Sequence, residues 1–212
     1  MVPAFRNRWY WKVILCLTII AWCIAIVINF QPLYYLFVKQ ENLGQLVGLT
    51  NNQLQHDYQH LLNYLNFPWV HSLGISLPSS ANALTHFADV KRLFLLDYVV
   101  LICGTPCSYW YLKKLRQQGM LWQLITVGQV MMTAGIFLSV MLALAFDRFF
   151  ILFHEVLFRN NDWIFDPATD PIIDALPDEF FLACFALFFV LFLLSMMVLI
   201  ICGKRSLKTS KH

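Results

Sequence analysis

The chain of 212 residues is 59% hydrophobic and only 13% charged, with 19 phenylalanines and a formal net charge of +3. So much apolar surface cannot be hidden in the core of so short a soluble chain, so an ordinary water-soluble domain is excluded and a bilayer is the expected solvent. The positive balance is small and, as the loops show, a signal of topology rather than of a nucleic-acid partner.

Four membrane spans are predicted, each near the roughly 20 apolar residues that cross the hydrocarbon core, and helical because lipid cannot satisfy open backbone groups. The first, 13–30, follows Arg6, Arg8 and Lys12. It is too long and aromatic for a signal-peptide core, and no small-residue cleavage site follows at Asn29-Phe30-Gln31-Pro32, so it reads as a retained helix. The second, 93–112, is interrupted by Asp97 and by Gly104-Thr105-Pro106; the third is 121–146 and the fourth 180–202. Asp97, two turns into a span, needs a partner there, and Arg92 or Arg148 is the expected one.

The segments between these spans are sorted by sign. Arg6, Arg8 and Lys12, then Lys113, Lys114 and Arg116, then Lys204, Arg205, Lys208 and Lys211 stand without an acid, whereas every acid except Asp97 lies in 31–92 or 147–179. The positive-inside rule puts both termini in the cytoplasm and those two loops outside. Cys16, Cys23, Cys103, Cys107, Cys184 and Cys202 all fall in or beside spans, so no extracellular disulfide framework is implied. Cys103 and Cys107 share a helical face and read as packing residues, not as a redox pair.

In 52–67 the residues Leu54, Tyr58, Leu61, Leu62 and Leu65 recur at helical spacing and predict an amphipathic surface helix, with His56, Asp57 and His60 on its polar side. Leu73, Ile75 and Leu77 alternate with Gly74 and Ser76 and predict a short strand ending at Pro78. Ile172, Ile173 and Leu176 are expected to lie against the membrane surface. Pro177, Asp178 and Glu179 suit the start of the last helix. The expected whole is one integral membrane unit over residues 1–212, a polytopic α-helical membrane protein whose four helices carry a small outward cap of helix and short strands.

Familiar catalytic patterns are missing: there is no G-x-S-x-G elbow and no phosphate- or dinucleotide-binding glycine pattern. His154-Glu155 starts like H-E-x-x-H, but Phe158 occupies the place of the second histidine, which excludes a zincin. His56 and His60 have metal-ligand spacing, yet a solvated helix face explains them better; His71 reads as a surface loop residue and His212 as a terminal one. His86 and His154 each lie within a few turns of a span's outer end, in acidic surroundings. Histidine is the usual general base near neutral pH, and a carboxylate such as Asp89, Glu155, Asp162 or Asp166 can orient the ring. The bland alternative is two interfacial histidines packed among headgroups.

Thr85-His86-Phe87-Ala88-Asp89-Val90-Lys91, together with "FHEVLFRNNDWIFDPATDPIIDALPDEFF" at 153–181, resembles the bacterial lipoprotein intramolecular transacylase family. Phe153, His154, Phe158, Trp163, Pro167, Asp170, Ile173, Pro177 and Phe181 carry the longer motif, while Leu157 stands where many relatives have Phe. The resemblance implies transfer of an acyl chain from the sn-2 oxygen of a diacylglyceryl lipoprotein to the α-amine of its own N-terminal cysteine. It implies His86 and His154 as the essential pair; Asp89, Lys91, Glu155, Asp162, Trp163 and Asp166 are the candidate supporting or orienting residues around them. His154 is favoured as base and His86 as partner, although either order, and a transient acyl-histidine, is compatible with the sequence. No metal, nucleotide or organic cofactor is implied; the partners would be diacylglyceryl lipoproteins and lipids of the bacterial plasma membrane. A metal-dependent membrane hydrolase and a non-enzymatic scaffold are the competing readings.

Overall fold

Apolar runs joined by short polar breaks give a chain of helices: α1 (Trp9–Ile28), α2 (Gln31–Glu41), α3 (Leu43–Leu46), α4 (Asn51–Asn66), α5 (Ala81–Gln117), α6 (Gln123–Leu144), α7 (Phe146–Leu157), α8 (Ile172–Ala175) and α9 (Asp178–Thr209). The structure, a computed structural model, describes residues 9–209; Arg6, Arg8, Lys211 and His212 and the side chain of Lys208 lie outside what it describes. Four stretches are long and apolar enough to cross a membrane: Trp9–Glu41, Ala81–Gln117, Gln123–Leu144 and Asp178–Leu207. The four expected spans are thus present, and Pro177 and the acidic Asp178 and Glu179 stand at the start of α9, where negative charge meets the positive end of the helix.

The described residues form two compact units, the first from 9–25, 97–143 and 186–209 and the second from 26–96 and 144–185. Small residues set the helix contacts of the first, as expected where packing rather than water expulsion holds helices together. A Cβ on Gly104 would collide with the Thr18 hydroxyl, and the Ser108 hydroxyl donates to that same oxygen at 3.0 Å. The Gly104-Thr105-Pro106 stretch is therefore a contact with α1, and α5 runs unbroken through Pro106. Gly128 of α6 abuts Ile200, and Gly203 of α9 abuts Ile125. Leu15, Tyr111, Leu115, Leu124, Phe192 and Met196 fill the space between. All six cysteines are free thiols. Asp97 departs from its expected pairing: Arg92 bonds Asp89 instead, and Asp97 Oδ2 is buried without a hydrogen-bond partner among the described residues.

The second unit is built on a core from α2, α3, α4, α8 and the N-terminal ends of α5 and α9, including Tyr34, Val38, Leu54, Leu61, Ala83, Phe87, Ala175 and Phe180. The expected amphipathic helix is α4, opened by a capping box in which Thr50 and Gln53 bond each other's backbone N–H. His56 and His60 are exposed on it, as read. Asp57 is not: it is 3% exposed and points inward, accepting from the N–H and hydroxyl of Ser76 at 2.9 and 3.0 Å.

That contact explains why the expected strand fails. Leu73 and Leu77 do alternate into the core, but no strand exists among the described residues for 73–77 to pair with. A side-chain carboxylate replaces a ladder as partner of the Ser76 backbone. The cap is helix and irregular chain, without strands among the described residues. A second expectation also fails: Ile172 and Leu176 are buried in this core rather than laid against the membrane surface, and Tyr34 donates to the carbonyl of Ala175 at 2.9 Å to hold α8 in place.

Candidate active site

His86 sits on the second turn of α5. Ser80 caps that helix by accepting from the Ala83 N–H at 3.1 Å, and Asp170 in turn accepts the Ser80 N–H at 2.6 Å. Asp170 is buried, 3% exposed, and also accepts from the Thr169 hydroxyl at 3.0 Å. The start of the His86 helix is thereby fixed by a carboxylate from the 147–179 segment, 90 residues later. His154 lies on the last turn of α7. Phe149 and Phe153 of that helix pack edge-on to Phe185, and Phe150 packs against Phe181, so an aromatic seam with α9 orients the face bearing His154.

These two supports bring the histidines together, with ring centroids 5.8 Å apart. His86 is 8% exposed and enclosed by aromatic edges, Phe158 at 4.8 Å and Phe165 at 5.5 Å. Its Nδ1 is buried and has no hydrogen-bond partner among the described residues, a condition rare enough in folded proteins to need a reason. His154 is held differently. Its Nδ1 lies 2.8 Å from the carbonyl of Phe150, which can only accept, so Nδ1 carries the proton and Nε2 the lone pair. Trp163 stacks on the ring at 4.8 Å. Burial pushes the His154 pKa below the ordinary histidine value, against a smaller upward pull from the Phe150 carbonyl. A neutral imidazole with Nε2 free near pH 7 is the form a general base requires.

The remaining candidates divide. Asp89 touches neither imidazole; it accepts from Arg92 at 2.6 Å and from the Asn160 amide at 3.0 Å. Trp163 is in place beside His154, and its indole N–H donates to the Asn160 carbonyl at 3.1 Å. Lys91 turns away from the pair, donating to the carbonyl of Val70 with its ammonium 4.3 Å from the Tyr64 ring centre. Asp166 closes its own turn by accepting from the Ala168 N–H at 3.0 Å. Glu155 is exposed, and neither it nor the Asp162 carboxylate bonds a histidine among the described residues. Sequence reasoning missed Asn160, Phe165 and the tie from Asp170 to Ser80; the crowding of polar residues at 160–162 was the available signal, and it reads equally as a turn.

Beside the pair lies a cleft of about 320 Å³ lined by Asp89, Arg92, Leu93, Leu157, Phe158, Arg159 and Asn160. It shares Phe158 with the wall around His86 and Asn160 with the support of Trp163. No group of three His, Cys, Asp or Glu side chains converges on a metal-sized site among the described residues. The arrangement offers two imidazoles in an apolar box next to a cleft with aliphatic and cationic walls, suited to proton transfer on a lipid-like substrate.

The sequence matches the family model for the lipoprotein intramolecular transacylase Lit over residues 10–181. Among solved structures, the membrane integral lipoprotein intramolecular transacylase Lit from Bacillus cereus, determined in meso, aligns with a TM-score of 0.88 at 25% identity, covering 95% of this chain and 94% of that one. Two variants of that protein, with a histidine replaced by arginine or by alanine, align with TM-scores of 0.80 and 0.81 at 25% identity, covering 95% of this chain and 90% and 92% of theirs. A search of curated proteins gave no match. With a family model covering 172 of the 212 residues, this membrane-integral chain belongs to the lipoprotein intramolecular transacylase family.

Proposed function

We propose that this protein moves the sn-2 acyl chain of a diacylglyceryl lipoprotein to the α-amine of that lipoprotein's N-terminal cysteine, with His154 as general base and His86 as its partner. The observation that carries the assignment is the hydrogen bond from His154 Nδ1 to the Phe150 carbonyl, which leaves Nε2 as the acceptor on a ring 5.8 Å from the buried His86 imidazole. The neutral amine attacks the sn-2 ester carbon; Nε2 takes the proton the nitrogen sheds as the new C–N bond forms. The same proton passes to the sn-2 oxygen as the C–O bond breaks, leaving an amide and a free glycerol hydroxyl. His86, whose ring lies 5.8 Å from that of His154, is suited to stabilise the tetrahedral oxyanion as charge develops. Amine and ester arrive on one molecule, so binding supplies orientation worth about 7–11 kcal/mol in favourable cases. The cleft beside Phe158 suits the glycerol ester head, with Leu93 and Leu157 toward the acyl chains. Surrounding membrane lipids are the expected medium from which the substrate enters.

The test uses a purified diacylglyceryl lipopeptide with a free cysteine amine. The product should keep its mass, with one acyl chain on nitrogen and one on glycerol by fragmentation. Two substrates with isotopically distinct chains should give no crossed product, and no phospholipid should be required. Crossed acylation would instead indicate an intermolecular N-acyltransferase, and loss of one acyl mass a hydrolase.

The topology belongs to the same proposal: cytoplasmic termini and an outward site. Its support is the ten lysines and arginines of the N-terminus, the 113–116 loop and the tail, with no acid among them. In a background lacking the six natural cysteines, Thr50→Cys and Ala168→Cys should react with an impermeant thiol reagent on intact cells while Arg116→Cys should not. Labelling at Arg116→Cys alone would reverse the assignment.

A further inference from the structure

We propose that Asn160 is the positioning residue that sets how His154 approaches His86, a role that rests on reading those two histidines as the reacting pair. Asn160 uses three of its polar groups at once. Its amide Nδ2 donates to Asp89, three residues beyond His86 on α5, at 3.0 Å. Its side-chain oxygen accepts from the Asp162 N–H at 3.2 Å, fixing the turn that follows α7. Its backbone carbonyl accepts from the indole of Trp163 at 3.1 Å, and that indole stacks on His154 at 4.8 Å.

One residue thereby ties the helix bearing His86 to the ring resting on His154. The backbone geometry favours this. Phe158 closes α7 in an extended conformation, and the chain then bends through 159–161, which brings Asn160 back toward α5. Phe158 packs edge-on to His86 while Asn160 reaches Asp89. Asp89 cannot swing freely to compensate, because Arg92 holds its other oxygen at 2.6 Å. An amide is required at position 160: Nδ2 must donate to a carboxylate while Oδ1 accepts from a backbone N–H, and no other side chain of that size does both. Asn160 lines the cleft but hydrogen-bonds neither imidazole, so its effect on the geometry of the pair passes through Trp163 and through the Asp89 contact with α5.

The experiment is a substitution series assayed on the diacylglyceryl lipopeptide, with thermal unfolding and gel filtration of each purified protein. Asn160→Asp sets a carboxylate against Asp89 and should lower kcat by about 100-fold, the scale of a displacement near 1 Å at a reacting group, with KM changed little. Asp89→Asn combined with Asn160→Asp restores a donor–acceptor pair with its direction reversed, and should recover at least about tenfold of that loss; such recovery is the signature of a direct coupling. A loss confined to KM, or a double variant no better than Asn160→Asp, overturns the proposal, as does a kcat loss that only tracks the fraction unfolded. His154→Ala in the same series separates the two levels. If it stays active, the reading of the reacting pair fails; if it is inactive while the Asn160 variants match the parent, only the positioning role fails.

Discussion

Replacing His154 by alanine should lower kcat by about 10²–10⁴-fold, the usual worth of a positioned proton acceptor, while the protein remains folded and membrane-inserted. His86→Ala should cost a comparable amount, because it removes the second imidazole of the pair. His56→Ala and His60→Ala should stay within about twofold, as exposed residues away from the core usually do. Product formation measured by mass spectrometry on purified protein separates these outcomes. If the second pair were essential and the first dispensable, the site would be misassigned. The pH profile sharpens the test. The substrate α-amine must lose a proton near its ordinary pKa of about 7.7–8.0, so log(kcat/KM) should fall with a slope of one below that pH. His154 must also be neutral, and its lowered pKa means that this requirement fails only as pH drops below the ordinary histidine value. A second limb, steepening the slope to two, should therefore appear below about pH 6.5. A steepening above that value would contradict a buried neutral imidazole. A slope of one persisting to acid unfolding would contradict a histidine base altogether.

The uneven legibility of this chain follows from the range of each interaction. Spans are written locally, since a run of apolar residues has one stable solution in lipid, and all four were readable. The histidines were readable because they stood out against apolar neighbours near span ends. Asp57 was misread although its spacing held the answer: it lies three residues after Leu54 and four before Leu61, on the edge of the buried stripe. Its polarity suggested solvent, and only the arrival of the Ser76 backbone makes burial tolerable. The 73–77 run shows the reverse error. Alternation correctly predicted which side chains enter the core, but a strand also needs a neighbouring strand, which period-two patterning does not supply. The supporting carboxylates were the least legible. Asp89, Glu155, Asp162 and Asp166 read as orienters alike, yet Glu155, next to His154, is exposed, while Asp170, sixteen residues after His154 and not among those four, pins the helix carrying His86.

That last contact carries the second large expected effect, on stability and activity together. Asp170 is buried and accepts two hydrogen bonds, one from the Ser80 backbone at 2.6 Å and one from the Thr169 hydroxyl at 3.0 Å. Asp170→Ala removes both acceptors and leaves the Ser80 N–H facing an apolar methyl. Hydrogen bonds to a charged group contribute about 1.5–3 kcal/mol each, so losing both should destabilise the protein by about 3–6 kcal/mol, read as a fall in thermal midpoint. Asp170→Asn keeps an oxygen for Ser80 without the charge and should lose roughly half as much, since neutral bonds are about half as strong. The effect on catalysis runs through helix geometry. Ser80 caps α5, and His86 lies six residues further along the same rigid helix, so a shift or fraying at the cap is carried to the imidazole. Activity measured at a temperature where Asp170→Ala is still folded should fall by at least about tenfold in kcat, with Asp170→Asn between it and the parent. A fully folded Asp170→Ala protein with parental kcat would mean that the helix start tolerates release, and that His86 is held in register by Phe87 and Ala83 in the core instead.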